Sequence, residues 1–297
     1  MSFSAAVKTE LCRVPMQRGC CTRAEAYGAL LHASAFSYRQ IRLSTEHPAV
    51  ARRLQALLQR AFFLSCAPVQ VGRKLQISLS EPAQIGRIFD ALGYDRKSHV
   101  TYHLNRNVLE DDHCLAAFLR GAFLMAGSVA GPDKKSHLEI KSTRQSLSGE
   151  ETSLLLELGL SPKLARRSNA YLLYFKDGAS VERLLTCIGA PHAAMELMEA
   201  KVEKNMRNTI NRQVNCETAN LVKAADASAR QVAAIRAVLD TRGEEAFPAH
   251  LRETVRLRLA YPTDSLAELA RRFDPPLSKP GLSHRLKKII EFASKED

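Results

Sequence analysis

The sequence predicts an α+β protein in which one αββαββα unit occurs twice and is followed by an all-α module. Three observations support this prediction. Two helical segments rich in small residues, 27–35 and 118–129, align with an offset of 92 residues. After each of them, strand and helix patterns return in the same order. Beyond residue 200 the alternating patterns stop and only helical periodicity remains.

The two helical segments are expected to pack against each other. Their small residues, at helical spacing, are Gly28, Ala29 and Ala33 in the first segment and Gly121, Ala122 and Ala126 in the second. Because no large side chain holds the backbones apart, such helices can approach closely. An ordinary alanine-rich core helix is the alternative for the first segment alone, and the repeat argues against it.

The remaining elements follow in the same order in both units. The first unit has a predicted strand at 40–46, a helix at 48–63, extended chain at 69–80 and a helix at 83–92. The second has a strand at 137–143, a helix at 149–159, strands at 165–175 and a helix at 179–188. Gly93 and Gly189 end the last helix of each unit. We assign the repeats to residues 1–110 and 111–200.

The rest of the chain is predicted to be a helical linker, 201–225, and a helix-turn-helix domain, 226–297. Helical patterns cover 227–240, 248–260, 265–273 and 278–292. Ser265 and Glu268 form a capping box that begins the third of these helices. A short helix, a tight turn at 274–277 and a basic second helix are typical of a helix-turn-helix.

The charge distribution favours a polyanionic partner. The 297 residues carry a net charge of +12, which divides into +8 for residues 1–110, −1 for 111–200 and +5 for 201–297. Double-stranded DNA is the expected partner, and a solvated basic surface without a partner is the alternative. The sequence has no apolar run suited to a signal peptide or a membrane span. We therefore expect a cytoplasmic, nucleoid-associated protein without membrane contact.

The last helix carries the predicted recognition residues. Leu282, Leu286 and Ile289 form a narrow apolar stripe that would face the preceding helices. The residues expected to bind DNA are Ser265, Ser278, Lys279, Ser283, His284, Arg285, Lys287 and Lys288. We assign His284 and Arg285 to base edges and the last two lysines to phosphates. A solvated basic helix that caps a bundle is the alternative.

Other basic residues could contact the DNA backbone or simply face solvent. In the predicted strand segments they are Arg39, Arg42, Arg73, Lys74, Lys141, Arg144, Arg166 and Arg167. In the linker helix they are Arg207 and Arg212, beside Asn211. The backbone contacts that we predict are Arg42, Arg73, Lys74, Lys141, Arg144, Arg207 and Arg212.

The seven cysteines are scattered, with no Cys-x-x-Cys pair and no histidine cluster at zinc-finger spacing. This pattern favours reduced, structural thiols over a redox or metal role. We expect no metal and no cofactor.

Segment 118–129 resembles the signature helix of LAGLIDADG homing endonucleases, in which an acid near the C-terminal end holds a divalent metal. Ala126 occupies that position here, and Ser34 is assigned to it in the upstream copy. Neither side chain can bind a metal ion. The resemblance therefore implies the nuclease fold, with two curved antiparallel sheets that form a saddle, without the nuclease site.

Segments 114–129, 136–140, 171–178, 208–220 and 278–289 together resemble the WhiA family of bacterial regulators. The resemblance implies a degenerate LAGLIDADG domain joined to a helix-turn-helix, which acts as a transcriptional regulator of sporulation, cell division or chromosome segregation. One departure is Pro280, where the family pattern has serine. Its effect is to remove one hydroxyl and one N–H from an expected phosphate contact.

Two alternative functions stay open at this point. The first is residual endonuclease activity through other acids, for which Asp111, Asp112 and Asp133 are candidates. The second is that the duplicated domain binds a protein, such as another transcription factor or RNA polymerase, in place of DNA.

Overall fold

The computed structural model describes residues 2–94 and 103–294 and divides the chain into two compact units, Met1–Lys204 and Asn205–Asp297. In the first unit, α1 (Phe3–Leu11) precedes two αββαββα repeats. The first repeat comprises α2 (Gly19–Leu31), β1 (Ala35–Phe36), β2 (Ile41–Thr45), α3 (Pro48–Phe62), β3 (Val69–Val71), β4 (Lys74–Leu79) and α4 (Pro82–Ala91). The second comprises α5 (Asp112–Ala126), β5 (Gly127–Val129), β6 (Leu138–Ser142), α6 (Gln145–Glu157), β7 (Lys163–Arg167), β8 (Ala170–Phe175) and α7 (Gly178–Ile188).

Each repeat builds one four-stranded antiparallel sheet. The strand orders are β1-β2-β4-β3 and β5-β6-β8-β7, so the two sheets have the same topology. In both, alternate side chains are buried, as Ile41 and Leu43 are in β2 and Leu138 and Ile140 in β6. The opposite face of each sheet is left open, which is the arrangement expected of an antiparallel sheet with one solvated face. The predicted fold class and the duplication are confirmed.

The two repeats meet at α2 and α5, which pack backbone to backbone. A Cβ atom added at Gly28 would lie 2.0 Å from the carbonyl oxygen of Phe118, and one added at Gly121 would lie 2.0 Å from that of Glu25. Only glycine fits at either point. The close approach that the small residues predict is therefore present, and it places the sheets on either side of one shared helical seam.

A buried cluster of three charges crosses this seam. The Glu25 carboxylate on α2 accepts from the Arg53 guanidinium on α3, and its Oε2 is 2.9 Å from Nε of Arg120 on α5. The arginines also donate to the carbonyl oxygens of Cys12, Val14 and Ile188. Every charged group thus has a partner, which is the condition for burying charge at tolerable cost.

The helices of the second unit enclose a separate core. The chain passes through α8 (Pro191–Arg242), α9 (Ala249–Ala260), α10 (Leu266–Arg271) and α11 (Lys279–Ser294). Within this core Leu282, Leu286 and Ile289 are buried, as predicted from their spacing. No helix in residues 2–94 or 103–294 is both long and apolar enough to cross a bilayer.

Several predicted elements differ in their limits. The linker at 201–225 and the helix predicted at 227–240 belong to one helix, α8, because no residue between them interrupts the helical backbone. Helix α6 begins at Gln145, four residues earlier than predicted. The connection between α10 and α11 spans residues 272–278, so it is longer than the tight turn expected at 274–277. Helix α1 was not predicted; the Ser2 hydroxyl caps its first turn.

Candidate nucleic-acid interface

The exposed side of α11 carries the predicted recognition residues. Because the stripe at Leu282, Leu286 and Ile289 packs into the core, the opposite side of the helix must face outward. The exposed residues there are Ser283, His284, Lys287 and Lys288, with Ser278 and Lys279 at the N-terminal end. The structure therefore brings six of the eight predicted residues onto one accessible surface, which we call the α11 basic face.

The N-terminal end of α11 is arranged as a capped helix start. Ser278 precedes the helix, and its Oγ accepts the backbone N–H of Gly281 at 3.2 Å. Lys279 and Pro280, the first two residues of the helix, are both exposed. Proline at this point removes an N–H that no carbonyl within the helix would accept. The helix start is intact, and its remaining N–H groups and positive end can attract a phosphate.

The lysines of this face differ in their surroundings. The ammonium group of Lys287 lies 3.7 Å from Glu291 Oε1 one turn further along, and both side chains are mostly exposed. Within the described part of the chain, Lys279 and Lys288 form no ion pair. A phosphate would thus meet two free ammonium groups and a third that must share its charge with an acid.

Arg285 lies on the flank of the face and is only half exposed. Its guanidinium lies 5.7 Å from the centre of the Phe273 ring, which is buried in the connection before α11. This contact holds α11 to the preceding connection. To reach a base edge the side chain would have to leave the ring, so His284 is the better placed of the two predicted base readers.

Ser265 has a structural role that the sequence also predicts. Its Oγ accepts the N–H of Glu268 at 3.3 Å, and the Glu268 carboxylate accepts the N–H of Ser265 at 2.9 Å. These bonds to Ser265 lower the pKa of the Glu268 carboxyl. The capping box is confirmed, and the serine O–H can still donate to a phosphate.

A pair of arginines fixes the chain just before α10. Arg258 is buried and donates to the carbonyl oxygen of Asp264 at 2.9 Å. Arg272 donates from Nε to Asp264 Oδ2 at 2.6 Å, and its guanidinium lies 3.6 Å from the centre of the Tyr261 ring. These contacts join α9, the loop and α10, so the short helix is held in place against α11.

In the first unit, the open face of the first sheet is basic and free of acids among its paired strand residues. Arg42 is paired with Ser78, and Ser44 with Gln76, so these side chains share the open face. Lys74 lies at the exposed start of β4. Val69 and Val71 of the edge strand are also exposed, at 63% and 53%. Arg42 and Lys74 are therefore placed where a polyanion could contact them.

On the open face of the second sheet, Lys141, Lys163 and Arg167 are joined by one acid, Glu139. Lys141 lies beside Glu139, with Nζ 3.3 Å from Oε1, and His137 approaches the other carboxylate oxygen at 3.2 Å. Burial opposes ionisation of Glu139, but the hydrogen bonds from His137 and Lys141 outweigh it and lower its pKa. An ionised acid at this point partly cancels the charge of Lys141.

Three predicted strand arginines lie elsewhere. Arg73 is in the turn between β3 and β4, where it is exposed. Arg144 precedes α6, and its guanidinium lies 5.8 Å from the centre of the buried Phe36 ring. Arg166 lies over Tyr171 and lines a pocket of about 620 Å³ on the helix side of β7. Predicting Arg144 as a strand residue was wrong, because α6 begins immediately after it.

Other predicted residues are simply exposed. Arg39 lies in the loop before β2, Arg167 at the end of β7, and Arg207 and Arg212 on the solvated surface of α8. Their exposure would allow contact with the DNA backbone, as it would for any solvated cation.

The end of the helical seam next to the sheets contains the positions of the nuclease acids. The reciprocal contacts of Gly28 and Gly121 set the register of α2 and α5 to an offset of 93 residues. Ala33 is then equivalent to Ala126, and assigning Ser34 to this position was wrong by one residue. Ser34 follows α2, where its hydroxyl donates to the carbonyl oxygen of Arg42 at 2.8 Å. Both acid positions are occupied by alanine.

At the other end of the seam, the structure assembles four side chains that sequence analysis treats separately. Ligand atoms of Cys20, Cys21, His113 and Cys114 all lie within 4.8 Å of one another. The two pairs are in the first turns of α2 and α5. The signal that could have found them is the helix register, since an offset of 93 residues aligns Cys21 with Cys114.

Comparison with known proteins gives two family matches. The family described as the WhiA LAGLIDADG-like domain matches residues 115–207, and the family described as the WhiA C-terminal HTH domain matches residues 210–293. Together the matches cover more than half of the chain, one in each compact unit apart from a few residues at the boundary.

The chain is also similar to proteins named "Probable cell division protein WhiA". The protein from Clostridium perfringens strain 13 is 35% identical over 99% of this chain and 98% of the relative. The protein from Ruminiclostridium cellulolyticum is 36% identical over the same shares. Among solved structures, full-length DUF199/WhiA from Thermatoga maritima matches 99% of both chains, with a TM-score of 0.62 and 24% identity. That structure has the same fold.

Proposed function

The chain belongs to the WhiA family, and on this premise we propose that it is a sequence-specific DNA-binding transcriptional regulator that reads DNA through the α11 basic face. The observation that carries the proposal is the outward projection of Ser283, His284, Lys287 and Lys288 from a helix anchored by three buried aliphatic residues. A helix presented in this way fits the major groove, where side chains can reach base edges.

The biological role that we propose follows the relatives. Proteins similar to this chain over almost their whole length are named for cell division. Control of genes for cell division, chromosome segregation or sporulation is therefore the process in which we place this regulator.

We propose further that the protein is not a nuclease. Metal-assisted cleavage of a phosphodiester needs carboxylates that converge on the scissile phosphates. Ala33 and Ala126 stand at the two positions where the fold would provide them. Asp111 and Asp112 are at the opposite end of α5, about 20 Å away along a helix of this length.

Two further acids, Glu139 and Asp133, lie in β6 and in the loop before it. Glu139 is next to Ser128, but His137 and Lys141 already bind its carboxylate. Asp133 is exposed in the loop between β5 and β6. Neither forms a group of three metal-binding side chains within residues 2–94 and 103–294. Supercoiled plasmid incubated with Mg²⁺ or Mn²⁺ should stay intact, and nicking lost in Asp133→Ala or Glu139→Gln would contradict this part of the proposal.

Arg42 and Lys74 on the first sheet are proposed as a secondary contact with the DNA backbone. They carry no sequence information, because phosphates are the same at every step. Their removal should weaken binding to all duplexes equally. Loss of the α11 residues should instead reduce the preference for the target site.

The test is selection of a target from random duplexes, followed by titration of target and scrambled duplex with wild type and variants. Alanine at His284, Lys287 and Lys288 together should abolish the preference for the target, through loss of the base contact of His284, and should weaken binding to both duplexes, through loss of the two phosphate contacts. Arg285 is left intact in this variant because its contact with Phe273 supports the fold. Wild-type preference in the triple variant, or the same affinity for both duplexes in wild type, would refute the proposal.

A further inference from the structure

We propose that Cys20, Cys21, His113 and Cys114 bind one structural Zn²⁺ ion, which joins the N-terminal ends of α2 and α5. Neither the DNA-binding role nor the family matches depend on this site. It lies at the end of the helical seam opposite Ala33 and Ala126, so it has no part in the lost nuclease positions.

The distances suit a single ion with four protein ligands. All four donor atoms lie within 4.8 Å of one another. His113 Nδ1 is 3.4 Å from Cys21 Sγ and 3.2 Å from Cys114 Sγ. In a tetrahedral zinc site with bonds of about 2.0 to 2.3 Å, neighbouring donors are about 3.5 to 3.8 Å apart. Small side-chain rotations would therefore complete the tetrahedron.

The orientation of His113 is a second, independent observation. Its Nε2 lies 3.1 Å from Asp111 Oδ2, so the carboxylate accepts the proton on that nitrogen. In the neutral ring the other nitrogen, Nδ1, then carries no proton, and it is the nitrogen that faces the sulfur atoms. Histidine ligands of zinc are commonly held by such a carboxylate, which fixes the tautomer and the ring.

Both pairs of residues lie at the N-terminal end of a helix. Cys20 and Cys21 follow Gly19 in the first turn of α2, and His113 and Cys114 follow Asp112 in the first turn of α5. All four residues therefore lie at the positive ends of the two helices, which favour negative charge such as that of a metal-bound thiolate.

The donor set selects the metal. Three sulfur atoms and one imidazole nitrogen form a soft, tetrahedral set that suits Zn²⁺ and does not suit Mg²⁺ or Ca²⁺, which take oxygen ligands. Four protein ligands fill all positions of a tetrahedral ion, which is the mark of a structural site. Each repeat supplies two ligands, so the ion would act as a cross-link between the halves of the duplicated domain.

The experiment measures metal in the full-length protein, purified with a reducing agent and without a chelator. Elemental analysis should find about one zinc ion per chain in wild type. Cys21→Ser and His113→Ala should lose most of it. Cys216→Ser removes an exposed thiol of α8, outside the cluster, and should retain the wild-type content. Chelation should lower the melting temperature of wild type and of Cys216→Ser, with little effect on Cys21→Ser.

Cobalt substitution keeps the test decisive if the ligand variants fail to fold. Co²⁺ added to chelator-treated wild type should give intense visible bands of a tetrahedral ion and a thiolate charge-transfer band. Metal-free wild type that gives neither band would overturn the proposal. So would a disulfide between two of the three cysteines in the reduced preparation, or stoichiometric iron or copper in place of zinc.

Discussion

Gly28 and Gly121 occupy equivalent positions on α2 and α5, and each lies directly against the backbone of the opposite helix. The nearest atom to a Cβ at Gly28 would be the carbonyl oxygen of Phe118, and at Gly121 that of Glu25, at 2.0 Å in both cases. Backbone atoms cannot move aside as the end of a flexible side chain can. Both helices would have to separate to admit even a methyl group, and the core around them would open.

Gly121→Ala should therefore destabilise the first unit strongly, by about 3 kcal/mol or more. The measurement is urea unfolding followed by near-ultraviolet circular dichroism of tyrosine, since the chain has no tryptophan. Tyr27 is buried at the seam and reports on it.

Gly149→Ala is the matched control for this substitution. Gly149 is in α6 with no heavy atom within 4 Å of its added Cβ. Alanine at an exposed helical position should stabilise the helix by about 0.5 to 1 kcal/mol. Equal effects of the two substitutions would show that the seam tolerates separation.

The seam also shows what the sequence could and could not predict. Its small residues predict close packing, because that needs only local spacing. The buried partners of Glu25 are 28 and 95 residues away in sequence, and no local pattern pairs them. The cysteine cluster was not predicted for the same reason. In addition, the offset of 92 residues between the two helices aligns Cys21 with His113 and not with Cys114, so the equivalence of the two pairs was missed.

The second unit was more predictable. The capping box at Ser265 and the buried stripe of α11 depend on contacts within one or two turns, which the sequence displays directly. The error in this unit was to predict α8 as two helices. The solvated and buried parts of α8 have different residue patterns, although no glycine or proline near residue 226 breaks the helix.

Replacing Glu25, the acid that Arg53 and Arg120 share, should destabilise the first unit, because both buried arginines would lose their carboxylate. Glu25→Gln leaves Arg53 and Arg120 next to a neutral amide, with side chains only 3% and 9% exposed. The expected loss is about 3 to 5 kcal/mol of unfolding free energy, the range for a broken buried pair.

Glu157→Gln serves as the comparison for Glu25→Gln. The carboxylate of Glu157 lies 2.6 Å from the Arg106 guanidinium, with both side chains about half exposed. Solvent screens this pair, so its loss should cost less than about 1 kcal/mol. Similar costs in urea unfolding for the two variants would contradict the role assigned to Glu25.

His32 should make the stability of the first unit depend on pH. Its Nδ1 lies 3.1 Å from the carbonyl oxygen of Gly28 and its Nε2 lies 3.3 Å from Glu151 Oε1, and both side chains are buried. A protonated ring can donate to the Gly28 carbonyl oxygen and places its positive charge beside the Glu151 carboxylate. Burial opposes that charge, but Glu151 outweighs burial, even against the positive charge of Arg144, and raises the pKa of His32 above 6.5.

A raised pKa in the folded state stabilises the fold fully below the unfolded value, and the contribution is lost as pH rises through the folded value. The difference in unfolding free energy between wild type and His32→Gln should therefore be largest below about pH 6.5 and shrink at higher pH. Urea unfolding at a series of pH values measures this difference. A difference that stays constant or grows with pH would show that folding does not raise the pKa of His32.

The lysines of α11 should set part of the salt dependence of DNA binding. If about six cationic side chains meet phosphates, log affinity should fall against log salt concentration with a slope near about −5. Lys288→Ala removes a fully charged contact and should reduce the slope by about one. Lys287→Ala should reduce it by less, because the neighbouring Glu291 already offsets part of its charge.

Lys135→Ala provides the control for these slopes, since it removes an equal charge from an exposed loop of the first unit that is not among the predicted contacts. Its slope should match that of wild type if only specific contacts release counterions. Fluorescence anisotropy of a labelled target duplex across a salt series measures all four proteins under the same conditions. If Lys135→Ala changes the slope as much as Lys288→Ala does, the response reflects net charge alone. In that case the α11 basic face would have no special part in phosphate contact.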